Sequence, residues 1–126
     1  MELKILKCKS CGKIIERLPG THGCPTVCCG SPMVELVANS QEGSLEKHIP
    51  VVQIEGNHIH VQVGQVKHPM LEEHSIKFIY LITDKATHRI DLLPGSNPVA
   101  DFYIENETPL KVYEFCNLHG LWEKEI

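Results

Sequence analysis

The sequence predicts a mainly β protein in two unequal domains, a small metal-binding knuckle over residues 1–37 and an antiparallel β-sandwich of immunoglobulin-like architecture over residues 38–126. Three observations carry this expectation. Through most of the second part, apolar and polar residues alternate with a period of two, as they do in strands with one buried face. Turn-forming Gly, Pro, Asn and Asp interrupt that alternation at short intervals, and no stretch shows a convincing amphipathic helical period. The N-terminal part instead concentrates cysteine, with Cys8-x-x-Cys11 and the adjacent pair Cys28-Cys29.

Taken in order, residues 1–18 read as two short strands, Leu3–Lys7 and Lys13–Leu18, joined by Cys8-Lys9-Ser10-Cys11-Gly12. The CxxC spacing lets two thiolates reach one ion, and Gly12 permits the turn that faces backbone amides toward the sulfurs. The turn-rich stretch Pro19-Gly20-Thr21-His22-Gly23-Cys24-Pro25 then leads to Cys28-Cys29-Gly30. Two pairs of thiolates make a tetrahedral four-sulfur site suited to zinc or a single iron. Neighbouring side chains of an extended strand point oppositely, so Cys28 and Cys29 can share an ion only where the backbone bends sharply. Cys24 is left over and is expected to be a free loop thiol. A short strand at Val34–Val37 precedes the polar linker Asn39-Ser40-Gln41-Glu42-Gly43-Ser44, which puts the domain boundary near residue 38.

In the second part, Val51–Ile54 and His58–Val63 flank the hairpin signal Glu55-Gly56-Asn57, and Ile59, Val61 and Val63 alternate with His58, His60 and Gln62. Ile76, Phe78, Tyr80 and Ile82 repeat the period. Further strands are expected at Arg89–Leu93, through Ala100, Phe102 and Ile104, at Lys111–Phe115 and at Leu121–Lys124. The antibody Cys-Trp-Cys pattern is missing, so the immunoglobulin likeness is one of architecture.

Composition excludes several classes. With 126 residues, 42% of them hydrophobic, the chain can bury a real core. Residues 1–40 carry five Lys/Arg against three Asp/Glu and residues 41–126 seven against thirteen, which leaves the main body no concentrated basic face for nucleic acid. The N-terminus lacks the apolar core of a signal peptide and no run is long enough to span a bilayer, so a cytoplasmic protein without membrane attachment is expected. In such a reducing compartment the six cysteines favour metal ligation over disulfides.

A second donor cluster lies near the C-terminus. In Cys116-Asn117-Leu118-His119-Gly120 a thiol and an imidazole sit three positions apart in a tight loop. Upstream, Glu46-Lys47-His48-Ile49-Pro50 and His68-Pro69-Met70-Leu71-Glu72-Glu73-His74 offer three more imidazoles at loops or strand ends, where a rigid sandwich displays its ligands. Convergence of these segments would surround one ion with four His and one Cys and leave an octahedral position open. His58 and His60, on the polar face of a strand, and His22 and His88, in polar turn-like segments, are expected as solvated surface.

Together Cys8-x-x-Cys11, Cys28-Cys29, Glu46-Lys47-His48-x-Pro50, His68-Pro69-Met70 with His74, and Cys116-Asn117-Leu118-His119-Gly120 resemble desulfoferrodoxin, the two-iron superoxide reductase family of anaerobic and microaerophilic microbes. The motifs span nearly the whole chain in the family's order. The resemblance implies a desulforedoxin-like, rubredoxin-like first iron centre on Cys8, Cys11, Cys28 and Cys29, with zinc a possible occupant. It implies a catalytic iron on His48, His68, His74, His119 and Cys116. Glu46 is then the sixth ligand of the oxidised second centre, and Lys47 the ammonium that attracts superoxide and helps protonate the product. A rubredoxin-like electron donor and a homodimer also follow from the resemblance. The rival readings are an electron-transfer iron protein, a zinc-ribbon module fused to a sandwich, and a superoxide dismutase.

Overall fold

Short runs of β-branched and aromatic residues broken by turns leave little room for helix. The computed structural model describes residues 3–20, 24–41 and 47–126, and among them it has twelve β-strands and no helix. The chain divides into two compact units, Met1–Val37 and Ala38–Ile126.

The first unit holds β1 (Ile5–Lys7), β2 (Ile14–Glu16), β3 (Val27–Cys28), β4 (Ser31–Pro32) and β5 (Val34–Glu35). β1 lies between β2 and β5 in a three-stranded sheet and buries Ile5 and Leu6. Its strands are shorter than the alternation suggests. β3 and β4, which the sequence does not signal, form a hairpin in which Cys28 pairs with Ser31. The two residues between them, Cys29 and Gly30, have φ of 53° and 75°. Positive φ at both central positions is the type I′ turn that matches strand twist, and it supplies the sharp bend the adjacent cysteines require.

The second unit comprises β6 (Pro50–Glu55), β7 (His58–Val63), β8 (Ile76–Thr83), β9 (Thr87–Asp91), β10 (Val99–Tyr103), β11 (Pro109–Cys116) and β12 (Gly120–Glu125). They form two antiparallel sheets, ordered β10-β7-β6 and β12-β11-β8-β9. The apolar positions of each alternation meet in one core. Ile59, Val61 and Val63 of β7 with Ala100 and Phe102 of β10 cluster with Ile79 and Leu81 of β8 and Val112 of β11. Burying a side chain of this kind contributes about 1.5–3 kcal/mol, so this interface between sheets is what holds the sandwich.

Register then decides where the loops gather. The start of β6 pairs with the end of β7 through Pro50 and Val63. In the other sheet the end of β11 pairs with the start of β8 and of β12, Cys116 lying opposite both Ile76 and Gly120. His48, His68, His74 and His119 stand just outside these strand ends.

Candidate metal centres

In the first unit, Cys8 follows β1 and Cys11 lies in the turn that returns to β2. Gly12, with φ of 80°, lets its own N–H donate to the Cys8 carbonyl oxygen at 3.0 Å, and the Cys11 N–H points at the Cys8 sulfur at 3.4 Å. The hairpin of β3 and β4 brings Cys28 and Cys29 to the same place, so that all four sulfurs lie within 4.8 Å of one another. Cys11 and Cys28 sulfurs are 3.6 Å apart, and those of Cys28 and Cys29 4.0 Å apart. Metal–sulfur bonds of about 2.3 Å make a tetrahedron with edges of roughly 3.8 Å, so the sulfurs fit a single iron or zinc.

Their protonation fits as well. The Cys11 backbone N–H, ahead of that of Ser10, lowers Cys8 from 9.0 to about 6. Cys28 is pushed up to about 12 by hydrogen bonding with the Cys8 and Cys11 side chains, and Cys29 is raised by Cys11 and Cys8. One thiolate is ready at neutral pH while Cys28 and Cys29 keep protons that a cation would displace. Cys24 is exposed and stands outside the group.

In the second unit the donor atoms of His48, His68, Cys116 and His119 lie within 4.8 Å of one another. His74 stands outside that group but inside the ring of imidazoles. Centroid separations are 4.7 Å for His48–His68, 4.8 Å for His68–His74, 5.2 Å for His74–His119 and 4.9 Å for His48–His119. The four contacts run round a closed circuit, with His48 across from His74 and His68 across from His119.

The Nε2 atoms of His48 and His68 are 3.1 Å apart. Two nitrogens at right angles about 2.1 Å from one ion would be roughly 3.0 Å apart. His68 Nδ1–H donates to the Pro69 carbonyl oxygen at 2.8 Å, which leaves Nε2 carrying the lone pair in the neutral ring. From His119 it is Nδ1 that faces the sulfur of Cys116, at 3.7 Å. That gap exceeds the roughly 3.2 Å of adjacent donors on an ion, so ligation would draw the two together. Cys116 is fully buried within the apolar core, and His119 is exposed. The sulfur therefore approaches from the core side and the ring is reached from outside. A thiolate so placed is costly without a cation, and a cation lacking its charge would bind weakly.

Gly120, with φ of 88°, closes the three-residue loop between β11 and β12. Asn117 fastens this loop to the segment before β8. Its Oδ1 accepts from the Ser75 N–H at 3.0 Å and its Nδ2 donates to the Glu73 carbonyl oxygen at 2.9 Å, bracketing His74. Trp122 stacks on His48 at 4.6 Å with planes 12° apart, and its indole N–H donates to the His119 carbonyl oxygen at 3.0 Å. Gly64 is buried against the backbone of Lys47, where a Cβ would meet the Lys47 carbonyl oxygen at 2.6 Å.

Asn117 and Gly64 escape sequence reading as supports because their partners are distant in the chain, as is His48, the stacking partner of Trp122. Lys47 is half-buried beside His48, and Glu46 lies outside the described residues, as does His22. His88 donates to Glu107 at 2.9 Å. His58 and His60, expected as solvated surface, both bond Asp101, which β10 brings alongside β7.

The desulfoferrodoxin family profile matches residues 40–125. Over 124 residues the chain is 46% identical to a desulfoferrodoxin of Syntrophotalea carbinolica, covering 98% of this chain and 97% of that one. It is 31% identical over 99 residues to a superoxide reductase of Pyrococcus abyssi, covering 64% of this chain and 86% of the relative. Its fold matches the crystal structure of the superoxide reductase from Treponema pallidum with a TM-score of 0.84 and 30% identity over 98% of each chain.

Proposed function

The chain belongs to the desulfoferrodoxin family, and from that premise we propose that it is a superoxide reductase, converting superoxide to hydrogen peroxide with one external electron and two protons. The observation that carries the reading is the closed circuit of four imidazoles with the buried Cys116 sulfur beside it. His48, His68, His74, His119 and Cys116 would hold one iron, and Cys8, Cys11, Cys28 and Cys29 a second, with zinc an alternative occupant of the four-cysteine site. Held by these histidines and Cys116, ferrous iron would supply the single electron that superoxide takes up.

The chain's own residues do the rest. Cys116, shielded from water by the core, would offer its sulfur as an electron-donating ligand. Neutral imidazoles add no negative charge, so an anion is not repelled from the outer side. Lys47, next to His48, carries the ammonium that draws superoxide in and passes or positions a proton for the product. Glu46, which precedes Lys47 in the chain, would supply a carboxylate, a hard oxygen ligand suited to ferric iron.

A rubredoxin-like carrier is the proposed electron donor, and faster re-reduction of the oxidised protein in its presence checks this. A homodimer would cover the first unit, whose buried apolar residues are few; sedimentation at micromolar concentration reads the mass directly. No helix among the described residues is long and apolar enough to cross a membrane. Free thiols assembled for metal suit the reducing cytoplasm, a placement that fractionation of native cells tests.

Metal content measured with the visible spectrum, before and after mild oxidation, tests the two-centre reading. Two irons per chain and a new thiolate-to-ferric band on oxidation are expected. One zinc in a colourless protein would contradict it.

A further inference from the structure

We propose that His58, His60 and Asp101 form a third metal site, on the outer face of the three-stranded sheet, that takes a divalent transition ion of the zinc type. The proposal does not rest on the superoxide reductase reading. His58 and His60 are two apart on β7 and therefore share a face, opposite to the core-facing Ile59. Register sets Asp101 of β10 directly across from His60. The result is two nitrogens converging on one atom: His58 Nε2 and His60 Nδ1 each lie 2.7 Å from Asp101 Oδ1. The three donor atoms lie within 4.8 Å of one another.

Hydrogen bonds alone would account for a surface clasp, but other features fit an ion. The two histidines approach from different directions, with centroids 6.3 Å apart and planes at 65°, so their lone pairs can occupy separate corners of one coordination sphere. Tyr103 stacks on His58 at 4.7 Å and 10°, holding that ring in place. On the other flank, Glu55 lies across from His58 and Gln53 across from His60. These four residues of β6 and β7 line a concavity of about 400 Å³, room for a further carboxylate oxygen or water on the ion. On binding, each imidazole gives up the N–H at the facing atom and carries its proton on the other nitrogen.

Two imidazoles and a carboxylate with solvent access form a donor set that suits zinc. The site is separate from the four-histidine cluster. His58 opens β7 and Val63 ends it at the edge where that cluster gathers, roughly 16 Å along the strand.

The test is equilibrium dialysis of the iron-loaded protein against zinc ion, with iron and zinc counted per chain and the visible bands followed. Wild type should retain one additional zinc with its iron unchanged, and His60→Ala and Asp101→Asn should each lose at least tenfold in zinc affinity. Zinc should also raise the unfolding temperature of wild type and not of these variants. Zinc-edge X-ray absorption of wild type supplies a readout independent of any variant, with imidazole and oxygen scattering expected. No retained zinc, equal retention by the variants, zinc gained only as iron is lost, or sulfur scattering at the zinc edge would each overturn the proposal.

Discussion

Gly64 shows how one missing side chain can serve a site it does not join. Its backbone is not in the left-handed region, so a larger residue is excluded by contact alone, and the contact is with the Lys47 main chain. Because backbone atoms cannot swing aside, Gly64→Ala must displace Lys47. Overpacking of this kind costs about 1–3 kcal/mol, readable by urea unfolding. Stopped-flow traces of Gly64→Ala and Lys47→Ala should both show slower reaction with superoxide, and Lys47→Ala should also weaken the salt dependence, because a screened attraction has been removed. Wild-type rates in both would remove Lys47 from the mechanism. Trp122 touches two of the proposed ligands directly, as a stacking surface for His48 and an N–H donor to the His119 carbonyl. Trp122→Phe keeps the stack and loses a bond worth about 1 kcal/mol, so its second-centre iron should be retained. Trp122→Ala loses both, and iron analysis should find that centre depleted severalfold while the four-cysteine centre stays full.

At the scale of the element, the hairpin of β3 and β4 turns a sequence oddity into a binding site. Cys29 sits in left-handed backbone and Cys28 at a strand end, so two adjacent thiols face one point. Without an ion, Cys28 is raised to about 12 and holds its proton at neutral pH, while Cys8, at about 6, has released its own. A raised thiol favours the ion-free fold while protonated, a contribution present below the ordinary value of 9.0 and lost as pH climbs toward 12. Metal binding runs the other way, since the ion must displace that proton. Chelator competition should therefore show zinc affinity rising from pH 6 to pH 9, about tenfold per unit for each proton displaced. A flat profile would mean that the thiols are already ionised. The strands of the sandwich are legible in the sequence because alternation reports a buried face, and β7 shows it most plainly. β3 and β4 are not, for two residues are too few to alternate. Of the four histidines near strand ends, His68 and His119 can be told from His58 and His60 by the adjacent Pro69 and Gly120, yet the bonds of His58 and His60 to Asp101 depend on a register that no local pattern states. The same holds for Asn117, whose partners lie on another strand's approach.

Over the whole molecule, two centres sit in two units of very different core. The second unit carries a continuous apolar core that includes Cys116, so the proposed sulfur ligand is also a core residue. Its acidic excess disfavours an anion at long range, which leaves capture to local charge at the site. Family membership and the superoxide reductases among its relatives point to reduction of superoxide, and the imidazole circuit beside the buried Cys116 sulfur fits the iron centre that this needs. The most direct measurement mixes the reduced, iron-loaded protein with a known amount of superoxide and counts both products. A reductase should yield one hydrogen peroxide for each superoxide consumed and no dioxygen. Half an equivalent each of peroxide and dioxygen would show dismutation and contradict the reductase reading.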